Sequence, residues 1–163
     1  NYTLDFSMRW ENRLPATTWQ YGYLVFGREH DGPFGIASKF RGEATDGCYV
    51  LTLRPGGRVR DENGKYLSGD IAQVLRYDPA KRGKEPVVLH TMKLRQKVTT
   101  GQALNCKIVL NKNSFYYTVN GQYSSPINHS AYRGPYVHFG RFHGTNDGGP
   151  LELTRIEARQ SWI

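Results

Sequence analysis

Apolar and polar residues alternate along this chain over short runs, and clusters of Gly, Pro, Asn and Asp separate the runs. A period of two puts successive side chains on opposite faces of a strand, whereas a helix repeats its apolar positions every three to four residues. Helical periodicity is almost absent. The alternation predicts strands over Leu4–Trp10, Tyr21–Phe26, Gly35–Glu43, Cys48–Leu53 and Asp70–Tyr77. Further strands are predicted over Val87–Arg95, Asn105–Leu110, Phe115–Asn120, Tyr136–Phe142 and Leu151–Arg159. Asn120-Gly121 suits left-handed turn positions. Pro55-Gly56-Gly57 is expected to end the strand begun at Cys48, Asp78-Pro79 ends the next, and Ala80–Pro86 forms a charged loop. There is no internal repeat, low-complexity tract or linker to divide the chain, so residues 1–163 read as one domain. Its expected form is an all-β sandwich of two antiparallel sheets with a concave groove on one face; a closed barrel is the alternative.

Eleven Tyr, seven Phe, three Trp and 18 Gly suit such a fold, and 163 residues are enough to bury a core. Lys and Arg number 22 against 14 Asp and Glu, a net charge of +8. That excess favours an anionic partner, whether nucleic acid, an anionic membrane surface or an acidic polysaccharide. The plainer reading is a soluble basic surface. No apolar run approaches the roughly 18 residues of a membrane span. The chain shows no leader at Asn1 and starts without Met, which reads as a mature or trimmed form. Cys48 and Cys106 cannot make a metal site alone; they are either one disulfide or two buried thiols. Asn1-Tyr2-Thr3 and Asn128-His129-Ser130 match the glycosylation sequon, and a secreted, extracellular protein is the expectation.

Three groups could carry chemistry. Lys39, Arg41 and Glu43 alternate in SKFRGE and share one strand face, either solvated or lining a polar groove. In DIAQVLRY, Ile71, Gln73, Leu75 and Tyr77 share a face opposite Ala72, Val74 and Arg76. The Gln73 amide could be satisfied within its sheet or could donate to a ligand carboxylate. In YVHFGRFH, Tyr136, His138, Gly140 and Phe142 face one way and Val137, Phe139, Arg141 and His143 the other. Histidine titrates near neutrality, so His138 could move a proton; a surface or structural role is its plainer reading. Arg141 and His143 complete the list of possible substrate contacts, His143 the poorer because it points away from His138.

YVHFGRF resembles the C-terminal signature of jelly-roll polysaccharide lyases, the alginate lyase and heparinase-I-like group. Arg41-Gly42-Glu43 resembles the start of that group's arginine–glutamate strand motif. Gln73-Val74-Leu75 resembles its Gln-(Ile/Val)-His motif, and Lys107–Gly121 the strand pair before the last motif. The resemblance spans Lys39 to Arg159 and implies a concanavalin-like β-jelly roll acting by β-elimination on a uronate polymer. It assigns Arg41 and Gln73 to neutralising the uronate carboxylate, with His138 or a tyrosine (Tyr77, Tyr136) as base. Lys39, Glu43, Tyr136, Phe142, Arg141 and His143 would contact substrate. The usual proton-transfer positions, however, hold Leu75 and Phe142, which cannot move protons.

Elimination needs fixed donors around the carboxylate and a base within reach of the adjacent carbon. Hydrolysis needs two facing carboxylates, and no acidic pair falls in one groove-facing row. The alternative is a non-catalytic, lectin-like module in which Trp19, Tyr21, Tyr23, Tyr136 and Phe142 stack on sugars while Lys and Arg meet uronates. A single-strand nucleic-acid binder ranks third, since no recognised motif for it is present. No cofactor is expected, a structural calcium is left open, and the protein is expected to be a monomer with acidic polysaccharide as partner.

Overall fold

The computed structural model describes residues 1–15, 20–31, 47–79, 86–142 and 149–160. Alternating residues become strands: β1 Tyr2–Trp10, β2 Tyr21–Gly27, β3 Cys48–Arg60, β4 Tyr66–Tyr77 and β5 Val87–Lys93. They continue with β6 Leu104–Leu110, β7 Phe115–Val119, β8 Gln122–Tyr123, β9 Gly134–Phe142 and β10 Leu151–Gln160. Among the described residues there is no helix, and so none long and apolar enough to cross a membrane. The strands form two antiparallel five-stranded sheets: sheet A in the order β10-β1-β6-β7-β8 and sheet B in the order β5-β4-β3-β2-β9.

Between the sheets, Leu4, Phe6, Met8 and Trp10 of β1 meet Leu24, Phe26, Tyr49, Leu51 and Val74 of sheet B. Burying each such side chain contributes about 1.5–3 kcal/mol. Sheet B is also buried over much of its other face, where Tyr21, Tyr23, Val25, Cys48, Val50 and Leu75 form a second apolar cluster. This explains why YGYLVFG in β2 reads as a nearly continuous apolar run: every one of its residues is buried. Both cysteines are buried thiols. They could not pair, because Cys48 belongs to the outer cluster of sheet B and Cys106 to the core between the sheets.

Most predicted strands are observed with ends shifted by a few residues. The strand expected over 35–43 lies outside the described residues. Asn120 and Gly121 adopt φ of 48° and 77°, the left-handed pair expected of the β7–β8 turn. The two-residue β8 beyond it was not predicted. Pro55-Gly56-Gly57 does not end a strand as expected. Gly56 takes a φ of 59°, the ladder with β4 shifts register between Arg54 and Gly57, and β3 continues to Arg60. Pro and Gly here make a bulge, which bends a strand pair without stopping it. Asp70 fixes the bend, accepting from the Gly56 amide at 2.7 Å and from the Val98 amide at 2.7 Å. Beyond it the hairpin returns over the outer face of sheet B. There Gln73 Nε2 donates to the Arg60 carbonyl at 2.8 Å, and Glu62 accepts from the Thr91 amide at 3.1 Å.

Candidate functional site

The register of sheet B lines up its outer face in rows. Tyr23 lies between Thr52 and Gly140, and Thr52 is followed outward by Gln73 and Thr91. Val25 lies between Val50 and His138. The middle of this face is closed, with Tyr23 6% and Gln73 2% exposed. It opens along β9, where Tyr136 is 42% exposed and His138 is half-buried. The Tyr23 ring stacks on the His138 imidazole, with centroids 6.2 Å apart and planes 20° apart. Glycine at 140 permits this, because a Cβ there would meet the Tyr23 hydroxyl oxygen at 2.5 Å. Burial raises the pKa of Tyr23, so its hydroxyl stays protonated at neutral pH.

Arg54 lies on the same face at the start of the bulge. Its guanidinium carbon sits 3.9 Å from the centroid of the Tyr21 ring, and its Nε is buried without a hydrogen-bond partner. Burial lowers its pKa from the usual arginine value, yet a guanidinium remains charged near neutrality. Among the described residues no carboxylate pairs with it. The outer face of sheet A differs: there Arg9 pairs with Glu152 at 3.1 Å, and Asp5 takes Arg155 at 2.7 Å and Arg159 at 3.5 Å. Withdrawing a cation from water without a carboxylate beside it is costly, and the Tyr21 side chain, which hydrogen-bonds Arg54, supplies no charge to offset it.

The predicted site residues are only partly brought together. His138 and Tyr136 share the open edge as the alternation implied. Gln73 is on the same outer face but buried; its amide nitrogen donates to the Arg60 carbonyl and, at 3.1 Å, to the Thr91 hydroxyl. Leu75 is 5% exposed and packs in the outer apolar cluster, against which Tyr77 also lies. Arg141 projects from the opposite side of β9 and donates to the Gly149 carbonyl at 2.7 Å, tying β9 to the approach of β10. Lys39, Arg41, Glu43, His143 and Trp19 lie outside the described residues, as does the Phe142 side chain; the Phe142 backbone pairs with Tyr21. Sequence reasoning missed Arg54. Its alternation with Cys48, Val50 and Thr52 was available, but the Pro-Gly-Gly that follows read as the end of the strand.

No protein-family model and no curated protein matches the chain. Solved structures do. The carbohydrate-binding module CBM66 from Bacillus subtilis superposes with a TM-score of 0.58 at 9% identity, covering 98% of this chain and 74% of that one. An ancestral congerin gives 0.51 at 10% identity over 98% and 92% of the two chains. Lactose- and MES-liganded congerin II gives 0.50 at 12% over 98% and 91%. The chain has the two-sheet sandwich fold of these proteins. At such identities the likeness is one of fold, and no lyase family is shown.

Proposed function

We propose that this protein is a non-catalytic, lectin-like module that binds an acidic polysaccharide. The observation carrying this reading is the outer face of sheet B. An exposed Tyr136 and a half-buried His138, backed by the buried Tyr23 ring, offer sugar-stacking surface along β9, while Arg54 offers a desolvated guanidinium that no carboxylate among the described residues pairs with. Aromatic rings take the apolar face of a pyranose, and a guanidinium takes a uronate carboxylate through two parallel hydrogen bonds. The protein's net charge of +8 favours a polyanion. The sandwich shared with a carbohydrate-binding module and with a lactose-liganded congerin adds support at the level of fold.

Binding is favoured over elimination because the Gln73 amide, one of the two carboxylate-neutralising groups the lyase resemblance assigns, already donates to a backbone carbonyl. The test is affinity electrophoresis through alginate, glucuronan, hyaluronan, heparin and pectate, run beside ultraviolet absorbance for an unsaturated product. The expected result is retention by at least one polymer with a flat absorbance trace. Arg54→Gln and Tyr136→Ala should each weaken that retention roughly tenfold with the fold intact. Absorbance that rises with the parent and is lost in His138→Ala would replace this reading with elimination. Retention by no polymer would defeat both.

A further inference from the structure

The returning hairpin carries a second basic surface. Arg58 and Arg60 of β3 alternate onto one side with Tyr66, which pairs with Arg60 across the ladder. Their guanidinium carbons lie 4.4 Å and 4.6 Å from the centroid of the Tyr66 ring, and Arg60 Nη2 donates to the Tyr66 hydroxyl at 3.0 Å. Both arginines are exposed and Tyr66 is 57% exposed, whereas Val59 and Leu67 on the other side of the hairpin are half-buried. One side thus packs inward and the other is offered to solvent.

The neighbouring acids are engaged elsewhere. Asp61 accepts from the amides of Asn63 and Lys65, both at 2.9 Å, and Glu62 accepts from the Thr91 amide. Among the described residues no carboxylate pairs with Arg58 or Arg60. Two like charges held against a single ring repel each other, and an anion between them would relieve that repulsion. The turn is also fixed: Asp61 donates to the Lys65 carbonyl at 2.8 Å, and Gly64 to the Asp61 carbonyl at 3.1 Å. The cations are therefore positioned before a ligand arrives, which lowers the ordering cost of binding.

We propose that Arg58, Arg60 and Tyr66 form an anion subsite for a sulfated or carboxylated sugar, with Tyr66 stacking on the ring and the two guanidiniums clamping its anionic group. This rests on the glycan-binding reading and extends it to a subsite at the opposite side of sheet B from β9.

Titration calorimetry with a heparin hexasaccharide and with an alginate hexasaccharide, which has carboxylates and no sulfates, tests it. The double substitution Arg58→Gln with Arg60→Gln should weaken the better-bound of the two at least tenfold. It should also flatten the slope of log affinity against log salt by roughly one to two. Tyr66→Ala, which keeps both charges, should weaken binding several-fold and leave that slope unchanged. The comparison of the two oligosaccharides says whether sulfate or carboxylate is clamped. If the parent binds an oligosaccharide and the double variant binds it equally with an unchanged melting temperature, the subsite is overturned while the glycan-binding reading stands. Loss of affinity for single-stranded DNA alone, with oligosaccharide affinity kept, overturns it in favour of nucleic acid. A parent that binds neither oligosaccharide overturns the subsite, and the glycan-binding reading falls with it only if none of the five polymers retains the protein.

Discussion

At the scale of single residues, this protein sets its polar groups apart by how they are balanced. Tyr49 and His129 share a hydrogen bond at one end of the core, and Arg133 donates to the carbonyls of Asn111, Ser114, His129 and Tyr132. Such residues are satisfied and structural. His90 is similar: its Nδ1 lies 2.9 Å from the Tyr117 hydroxyl, and burial, partly opposed by Glu62, lowers its pKa from 6.5. His129 is also lowered, first by burial and then by Arg76. A depressed imidazole binds its proton more readily in the unfolded chain, so its contribution to stability is full above 6.5 and is lost as pH falls below that value. The melting temperature is therefore expected to fall by a few degrees between about pH 7.5 and pH 5. A melting temperature that rises over that window would contradict the assignment of these two histidines.

At the scale of elements, β9 shows how one glycine shapes a surface. Gly140→Ala would drive a methyl group into the Tyr23 hydroxyl and push the ring off His138. Such overpacking costs about 1–3 kcal/mol, and the substitution should weaken glycan retention while Gly121→Ala, at the distant β7–β8 turn, should not. The strand pattern was legible because the faces of sheet A differ in polarity: Leu104, Cys106, Ile108 and Leu110 of β6 face the core, and Asn105, Lys107 and Val109 face out. Sheet B was less legible. With apolar clusters on both of its faces, polarity no longer separated inside from outside, so Gln73 looked available for a ligand when its partner was a carbonyl brought back by the hairpin. That return depends on the bulge at Gly56, whose residue types read equally well as a stop.

At the scale of the whole molecule, the excess positive charge is unevenly committed. Sheet A's outer face pairs Arg9 with Glu152, and Arg155 and Arg159 with Asp5, contacts worth little individually in water. Arg54, Arg58 and Arg60, all on β3, have no such partners among the described residues. The two-sheet form was legible in the spacing of turns and the near absence of helical periodicity. The position of the unpaired cations was not, because pairing across strands depends on register and on the path of a bent hairpin. Sequence alternation alone sets neither.

Among the described residues, the candidate glycan edge is also an unguarded one: β9 pairs with β2 on one side and with no described strand on the other. An outermost strand opens more readily than an interior one. Amides of Tyr136 to Gly140 should accordingly exchange with deuterium faster than those of β3 in the free protein. A bound sugar resting on Tyr136 and His138 would hold β9 against β2 and slow that exchange, with β3 unchanged. Equal protection of β9 with and without ligand would mean that sugar is held somewhere else. If sugar does slow that exchange, affinity and edge fraying are two readings of one equilibrium, and mutations that loosen β9 without touching sugar would still lengthen the time it spends unable to bind.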